Sequence, residues 1–313
     1  MWRLLSGIWM GWGLGSNDAA NLFGTGVAAN LIKYRTATIL IAIFVTIGAL
    51  IEGPKAMGTL GKLVDISDDI NIAFTVSLAA AVSVTIMSYL GLPISTSQAV
   101  IGSLLGSSLV LGGVDFGVLT KVVLCWVGTP IGGAAVAFIL YYLLDKFMRR
   151  YIKNIVAFNR FVQVSIILAG CYGAYSLGAN NVANTTAVYV ATGMLTPLTA
   201  ALIGGVSIGL GAITFSRNVM ITVGKKITQI GPLGALIATL SQSITLHFYT
   251  QVGVPVSSSQ AIVGAVAGIG MVKGIRTISY KKISQIFLGW VLTPLSACAI
   301  SYGLIKLTGL LFG

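Results

Sequence analysis

The chain has 313 residues, of which 56% are hydrophobic and only 8% are charged, and its mean hydropathy is +0.95. Ordinary globular chains carry roughly a quarter charged residues, so this composition nearly excludes a soluble enzyme. Its 19 Lys and Arg residues outnumber 7 Asp and Glu residues and give a net charge of +12. In a membrane protein such basic residues mark topology first, so we expect no nucleic-acid partner.

Ten apolar stretches follow one another along the chain, each near or above the length of a membrane span. A span needs about 20 apolar residues, and it must be helical because an open sheet edge has no hydrogen-bond partners in lipid. The stretches lie near 2–30, 36–54, 70–90, 94–112, 117–144, 162–192, 198–216, 232–250, 256–272 and 283–312. The first and sixth are too long for one span and carry polar interruptions, which predicts a broken helix or two short helices in each. The predicted fold class is an all-α polytopic membrane protein with about 10–12 transmembrane helices, some of them discontinuous or hairpin segments.

The basic residues predict the orientation of these helices. If the N-terminus lies outside, the acidic loops with Asp65, Asp68, Asp69 and Asp115 also lie outside. The inside loops then hold most of the basic residues: Lys33, Arg35, Lys146, Arg149, Arg150, Lys153, Arg160, Arg217, Lys225, Lys226, Lys273, Arg276, Lys281 and Lys282. The positive-inside rule therefore predicts a multi-pass protein of the cell membrane with both termini outside. The basic segment 146–161 is predicted to be a cytoplasmic linker that contacts anionic lipid.

Three polar motifs occur twice, in the same order and at offsets of 162 to 164 residues. The repeated segments are 15–21 with 178–184, 93–102 with 255–264, and 126–130 with 290–294. This pattern predicts a duplication, with a first repeat at 1–145, the linker at 146–161 and a second repeat at 162–313. Because each repeat holds five apolar segments, the second is expected to be inverted relative to the first. Inverted repeats are typical of secondary transporters, which bind substrate at the repeat interface.

In one of these motifs, a proline precedes three hydroxyl residues and a glutamine. Pro93 and Pro255 can each end one helix and begin the next. Backbone N–H groups and hydroxyls at a helix N-terminus favour a small oxyanion. Two such starts that face each other would surround a tetrahedral anion with neutral donors. The alternative is that these hydroxyl residues only pack and hydrogen-bond between membrane helices.

Another motif places Asp18, the single acidic residue deep in the first repeat, between Asn17 and Asn21. An ionised group inside a membrane is costly and therefore indicates a function. The three residues offer hard oxygen ligands at one-turn spacing, and one carboxylate suits Na⁺ better than Ca²⁺. We expect Gly15 and Gly24 to let the backbone unwind around them.

The second copy of that motif contains Asn180, Asn181 and Asn184 and no carboxylate. Neutral amides can hold Na⁺, but they cannot carry a proton. For both copies the alternative is a helix cap or a buried amide network between helices.

At these motifs the chain resembles the inorganic phosphate transporter family of sodium- or proton-coupled symporters. That family has a duplicated G-[AS]-N-D-x-A-N signature and paired P-x-S-[ST]-[ST]-Q segments on an inverted repeat, and the resemblance spans nearly the whole chain. It implies uptake of inorganic phosphate by alternating access, in a homodimer. The implied phosphate-binding residues are Ser95, Thr96, Ser97, Gln98, Ala99, Ser257, Ser258, Ser259, Gln260 and Ala261. The implied sodium ligands are Asn17, Asp18, Asn21, Asn180, Asn181 and Asn184, although the family usually has Asp where this chain has Asn181.

Charge arithmetic favours sodium coupling, because one carboxylate, two Na⁺ ions and a monoanionic phosphate sum to zero, and the motifs contain no Lys or Arg. The expected function is therefore sodium-coupled phosphate symport, with Na⁺ as coupling ion and no other cofactor. Proton coupling, sulfate or another oxyanion as substrate, and an anion channel remain alternatives. Gln98 and Gln260 favour phosphate, because a protonated phosphate can donate to an amide oxygen and sulfate cannot. An enzyme is not expected, since no catalytic pair or metal cluster is evident.

Four residues lie outside these motifs or carry no assigned role. Glu52 is expected near the outer rim of the membrane, and His247 is expected to be a core or interfacial histidine with satisfied hydrogen bonds. Trp126 and Trp290 are expected in packing or in the aromatic belts of the membrane interface.

Overall fold

The computed structural model describes residues 2–28, 30–64, 69–89, 94–222, 230–274 and 280–312. Several residues that the sequence singled out lie outside these ranges: Asp65, Asp68, Pro93, Lys225, Lys226 and Arg276. A short 3₁₀ turn at Trp2–Leu4 precedes the first helix. The helices of the first repeat are α1 (Leu5–Asn17), α2 (Ala20–Ala28), α3 (Tyr34–Leu60), α4 (Ile70–Tyr89), α5 (Thr96–Leu111) and α6 (Phe116–Tyr151).

The second repeat has helices that correspond to those of the first, with one additional short helix, α10. They are α7 (Ile155–Asn181), α8 (Ala183–Ala191), α9 (Pro197–Phe215), α10 (Arg217–Thr222), α11 (Gly231–Val252), α12 (Ser258–Lys273) and α13 (Tyr280–Phe312). Six stretches of the described chain are helical, long and apolar enough to cross a membrane: Tyr34–Leu60, Ile70–Tyr89, Phe116–Tyr151, Ile155–Ala191, Pro197–Phe215 and Phe287–Thr308. The prediction of an all-α polytopic membrane protein is confirmed.

Both long apolar stretches are broken helices, as their polar interruptions predicted. The first breaks between α1 and α2, and the second breaks at Val182, between α7 and α8. A tight turn bridges each break at matched positions: Leu22 N–H donates to the Ala19 carbonyl at 3.2 Å, and Thr185 N–H donates to the Val182 carbonyl at 3.0 Å. Such i to i+3 bonds tighten the chain locally instead of unwinding it.

The expectation that Gly15 and Gly24 unwind the chain is wrong, because both lie inside helices. Gly15 serves close packing instead: a Cβ there would overlap the carbonyl oxygen of Ile208 in α9. Its counterpart Gly178 lies equally close to the carbonyl oxygen of Val45 in α3. The first glycine of each signature thus lets two helix backbones touch.

The packing of the helices shows the two-fold relation between the repeats. Helix α1 packs on α9 while its counterpart α7 packs on α3, so each broken helix lies against a long helix of the other repeat. Likewise α5 packs on α13 while α12 packs on α6. The repeats are therefore interleaved, and the interface between them runs through the middle of the molecule, where the signature and hydroxyl motifs lie.

The predicted linker is short and mostly helical. Residues 146–151 complete α6 and 155–161 begin α7, so only 152–154 lie outside a helix. Asn154 caps α7, and its side-chain oxygen accepts from Val156 N–H at 2.8 Å. The repeat boundaries and the contact with lipid heads remain predictions.

Candidate functional site

The two hydroxyl motifs form the N-termini of α5 and α12. Ser95 and Ser257 are the N-caps, and their hydroxyl oxygens accept from the backbone N–H of Gln98 and Gln260, both at 3.2 Å. The N–H groups of the two following alanines, at 99 and 261, bond to the carbonyls of the caps at 3.1 Å. These four N–H groups are therefore already occupied, whereas the first-turn hydroxyls and the glutamine side chains can contact a ligand.

Asp18 joins both helix starts. Its carboxylate accepts a hydrogen bond from Thr96 at the start of α5 and another, at 2.8 Å, from the Ser258 hydroxyl at the start of α12. Asp18 is 1% exposed. Among the side chains that the structure describes, no Lys, Arg or His pairs with it, and the ion pairs lie elsewhere. A buried carboxylate without a positive partner costs several kcal/mol, so this site favours a bound cation.

Asn21 extends this half of the site. It lies one turn beyond Asp18 on α2, and its amide Nδ2 donates to the Ser258 hydroxyl at 3.2 Å. Its side-chain oxygen is buried and has no partner within the described part of the chain. Asp18 and Asn21 therefore offer spare oxygen ligands to the same space.

The second signature makes a different network. The side-chain oxygen of Asn181 accepts from Asn184 Nδ2 at 3.0 Å and faces the Ser97 hydroxyl at 3.1 Å. Asn184 Nδ2 also donates to that hydroxyl at 2.9 Å, and the same hydroxyl lies 3.1 Å from the carbonyl oxygen of Val256. Within the described chain, the hydrogen bonds between the amides of the second signature and α5 thus all involve Ser97.

Asn17 and Asn180, at matched positions, each bond the chain just before a hydroxyl motif. Asn180 Nδ2 donates to the Val254 carbonyl at 3.0 Å and to Thr250 Oγ1 at 3.2 Å, and its oxygen accepts from Val256 N–H at 2.8 Å. Asn17 repeats the pattern, bonding Ser88 and the N–H of Ile94 at 3.1 and 3.3 Å. Both amides therefore hold the connection that leads into a hydroxyl motif.

Buried polar atoms without partners mark where a ligand would bind, because native proteins leave few of them unsatisfied. In the described ranges, five such atoms belong to the signature and hydroxyl motifs: Asn21 Oδ1, Asn181 Nδ2, Asn184 Oδ1, Gln98 Oε1 and Gln260 Oε1. They include acceptors and a donor, which suits a site for both a cation and a protonated oxyanion.

The two glutamines share a cavity of about 370 Å³ that lies between α5, α6, α12 and α13. Trp126 and Trp290, which also occupy matched positions, line the same cavity. Their indole N–H groups are buried and have no partner among the residues that the structure describes. Gln98 and Gln260 thus face α6 and α13, whereas Thr96 and Ser258 face Asp18. The structure divides the predicted anion-binding residues between these two faces.

Two further groups were not assigned a role from the sequence. Gln242 in α11 is buried, and neither its amide oxygen nor its nitrogen has a partner among the described residues. A glutamine inside an apolar helix was the signal that could have identified it.

His247 has satisfied hydrogen bonds, as expected: it bonds Glu52 at 3.1 Å and Tyr172 at 2.7 Å.

Comparison with known proteins identifies the family of this chain and several relatives. The model of the phosphate transporter family matches the chain twice, over residues 14–163 and 151–301. A Methanocaldococcus jannaschii protein, provisionally named as a phosphate permease, is 30% identical over 92% of this chain and 91% of its own length. The sulfate permease CysP of Bacillus subtilis is 29% identical, over 97% of this chain and 86% of its own.

One solved structure has the same fold. It is described as the sodium-dependent phosphate transporter and covers 98% of both chains with a TM-score of 0.85, at 23% sequence identity. This similarity supports the fold of two inverted repeats.

Proposed function

Because the chain belongs to the phosphate transporter family, we propose that it carries inorganic phosphate across a membrane together with Na⁺. Membership of this family confirms the resemblance noted in the signature motifs and the expectation that the chain is not an enzyme. The single observation that carries the sodium part of the proposal is the buried carboxylate of Asp18, which has no Lys, Arg or His partner among the described side chains. The name of the structural relative, a sodium-dependent phosphate transporter, supports it.

The cation would bind beside Asp18, where oxygens are available. A carboxylate has about four lone-pair positions, and hydroxyls occupy only two of those on Asp18. Asn21 contributes an oxygen without a partner. Hard oxygen ligands with one negative charge suit Na⁺.

The anion would bind at the starts of α5 and α12, where helix dipoles and hydroxyls supply positive potential without a fixed charge. The unpartnered oxygens of Gln98 and Gln260 can accept hydrogen bonds from a protonated phosphate. Sulfate is the second candidate substrate, since one relative is named a sulfate permease. It has no proton to donate at neutral pH, so these two oxygens favour phosphate.

Coupling follows from the position of Asp18 between the repeats. Its carboxylate holds Thr96 of the first repeat and Ser258 of the second. A cation there would compete for the carboxylate oxygens and release the hydroxyls toward the anion. Each ligand would then raise the affinity for the other, which is coupling in the thermodynamic sense. We propose that the occupied site alternates between the two sides of the cell membrane, with both termini outside and two chains in a homodimer.

Uptake of radiolabelled phosphate into proteoliposomes tests this proposal. We expect uptake to need a sodium gradient, to persist without a proton gradient, and to resist competition by sulfate. Asp18→Asn should largely abolish sodium-dependent uptake. Asp145→Asn is a matched control, because Asp145 forms only an exposed pair with Arg149 one turn away. Normal sodium-driven uptake by Asp18→Asn would overturn the assignment of the cation site.

A further inference from the structure

The two repeats differ in polarity at one matched position. Asp18 and Asn181 are 163 residues apart and occupy the same place in the duplicated signature. If the site were symmetric, one of the Thr96 and Ser258 hydroxyls would donate to Asp18 and the other to Asn181. Both hydroxyls bond to Asp18 instead, and Asn181 faces Ser97. The single carboxylate has therefore drawn both hydroxyls to one side, because a charged acceptor forms the stronger hydrogen bonds.

The second signature does not fit a cation. The oxygen of Asn181 is covered by Asn184 and the Ser97 hydroxyl, and its unpartnered atom is the donor Nδ2. Asn184 offers one spare oxygen, and Asn180 uses its own oxygen for the N–H of Val256. One amide oxygen beside an N–H group, without negative charge, is a poor set of ligands for a hard cation.

The same donor suits an anion. Asn181 is fully buried, and its amide lies beside Ser97, whose hydroxyl belongs to the first turn of α5. A buried N–H without a partner is costly, and an anion at the helix start would offset that cost by accepting a hydrogen bond from it. The change from acid to amide thus replaces a cation ligand by a hydrogen-bond donor.

We infer that this chain couples phosphate to a single Na⁺, bound at Asp18, and that the second signature binds the anion through Asn181 instead of a second cation. This inference rests on the proposed function and fixes its stoichiometry. With one Na⁺, Asp18 and a monoanionic phosphate, the occupied site carries one negative charge, in contrast to the neutral sum for two Na⁺, and the neutral donors of the two helix starts would stabilise it. One Na⁺ moved with one monoanionic phosphate transfers no net charge across the membrane. Two Na⁺ would transfer one positive charge in each cycle.

Calorimetric titration of the purified protein with NaCl counts the cations directly and does not depend on transport. We expect one sodium site per chain in the wild type and about two in Asn181→Asp. The same substitution should weaken phosphate binding roughly 10-fold, because it replaces a donor by a negative charge. Asn154→Asp is the matched control: Asn154 caps α7 far from the signatures, and Asp is an equally good cap.

Wild-type proteoliposomes supply a test that needs no variant. At an acidic pH where the monoanion predominates, sodium-driven phosphate uptake should not change when a potassium diffusion potential is imposed. Uptake that rises with inside-negative potential, or two sodium sites in the wild type, would overturn the single-ion inference and leave sodium-coupled phosphate transport intact. Uptake without any need for sodium would overturn both.

Discussion

Replacing Asn180 by alanine separates a structural role from ion binding. The Asn180 side chain bonds the Val254 carbonyl, the Val256 N–H and the Thr250 hydroxyl. Both valines are fully buried, so the substitution leaves one backbone acceptor and one backbone donor without a partner and away from water. Each such group costs about 1–3 kcal/mol. We therefore expect Asn180→Ala to lower the free energy of unfolding by about 2–6 kcal/mol.

Thermal unfolding in detergent, followed by tryptophan fluorescence with and without NaCl, measures this effect. The midpoint should fall by several degrees, while the stabilisation that sodium adds should equal that of the wild type. Thr250→Ala is the matched control: it removes one partner of the amide and leaves the Val254 carbonyl to accept, so it should cost about 1 kcal/mol. Wild-type stability in Asn180→Ala together with loss of the sodium effect would refute this reasoning and restore Asn180 as a ligand.

Two further predictions concern packing and selectivity. Gly178→Ala should disrupt the packing of α7 on α3, because the added Cβ would overlap the Val45 carbonyl oxygen. Gly58→Ala should be tolerated, since no atom of the described chain lies within 4 Å of the added Cβ. Size-exclusion profiles of the two variants compare their folding, and a normal profile for Gly178→Ala would contradict the close packing. Gln98→Met and Gln260→Met should each raise sulfate uptake relative to phosphate, because they remove an acceptor that only a protonated anion can use. Arsenate uptake should change in parallel with phosphate uptake, because arsenate is also protonated. If the ratio of sulfate to phosphate uptake is unchanged in both variants, these oxygens do not determine selectivity.

The duplication, the helical class and the two helix starts were predictable from the sequence because they depend on local patterns. The break in each long apolar stretch was also predictable, because polar residues interrupt the hydrophobic run at Asp18 and at Asn181. Their roles were harder to predict. From the sequence we expected Gly15 to let the backbone unwind. Its role in the structure is close packing against a backbone carbonyl of α9, and no local sequence pattern reveals such a contact.

Hydrogen-bond partners that are distant in the chain account for the rest. Asn180 has the residue type of a sodium ligand, but its partners lie 70 to 76 positions away, at the end of α11 and in the connection before α12. Glu52 and His247, 195 positions apart, form a pair that spacing along the chain could not predict. The Thr96 and Ser258 hydroxyls both donate to Asp18 and not to Asn181. This outcome depends on competition between two acceptors that come together only when the helices pack.

The pairing of α1 with α9 and of α7 with α3 also has an evolutionary consequence. If an ancestor assembled two identical half-length chains, every mutation at the signature would have appeared on both sides of the axis at once. An acid at 18 opposite an amide at 181 is an arrangement that two identical chains could not encode. The asymmetry of this site therefore requires that the two signatures be encoded separately.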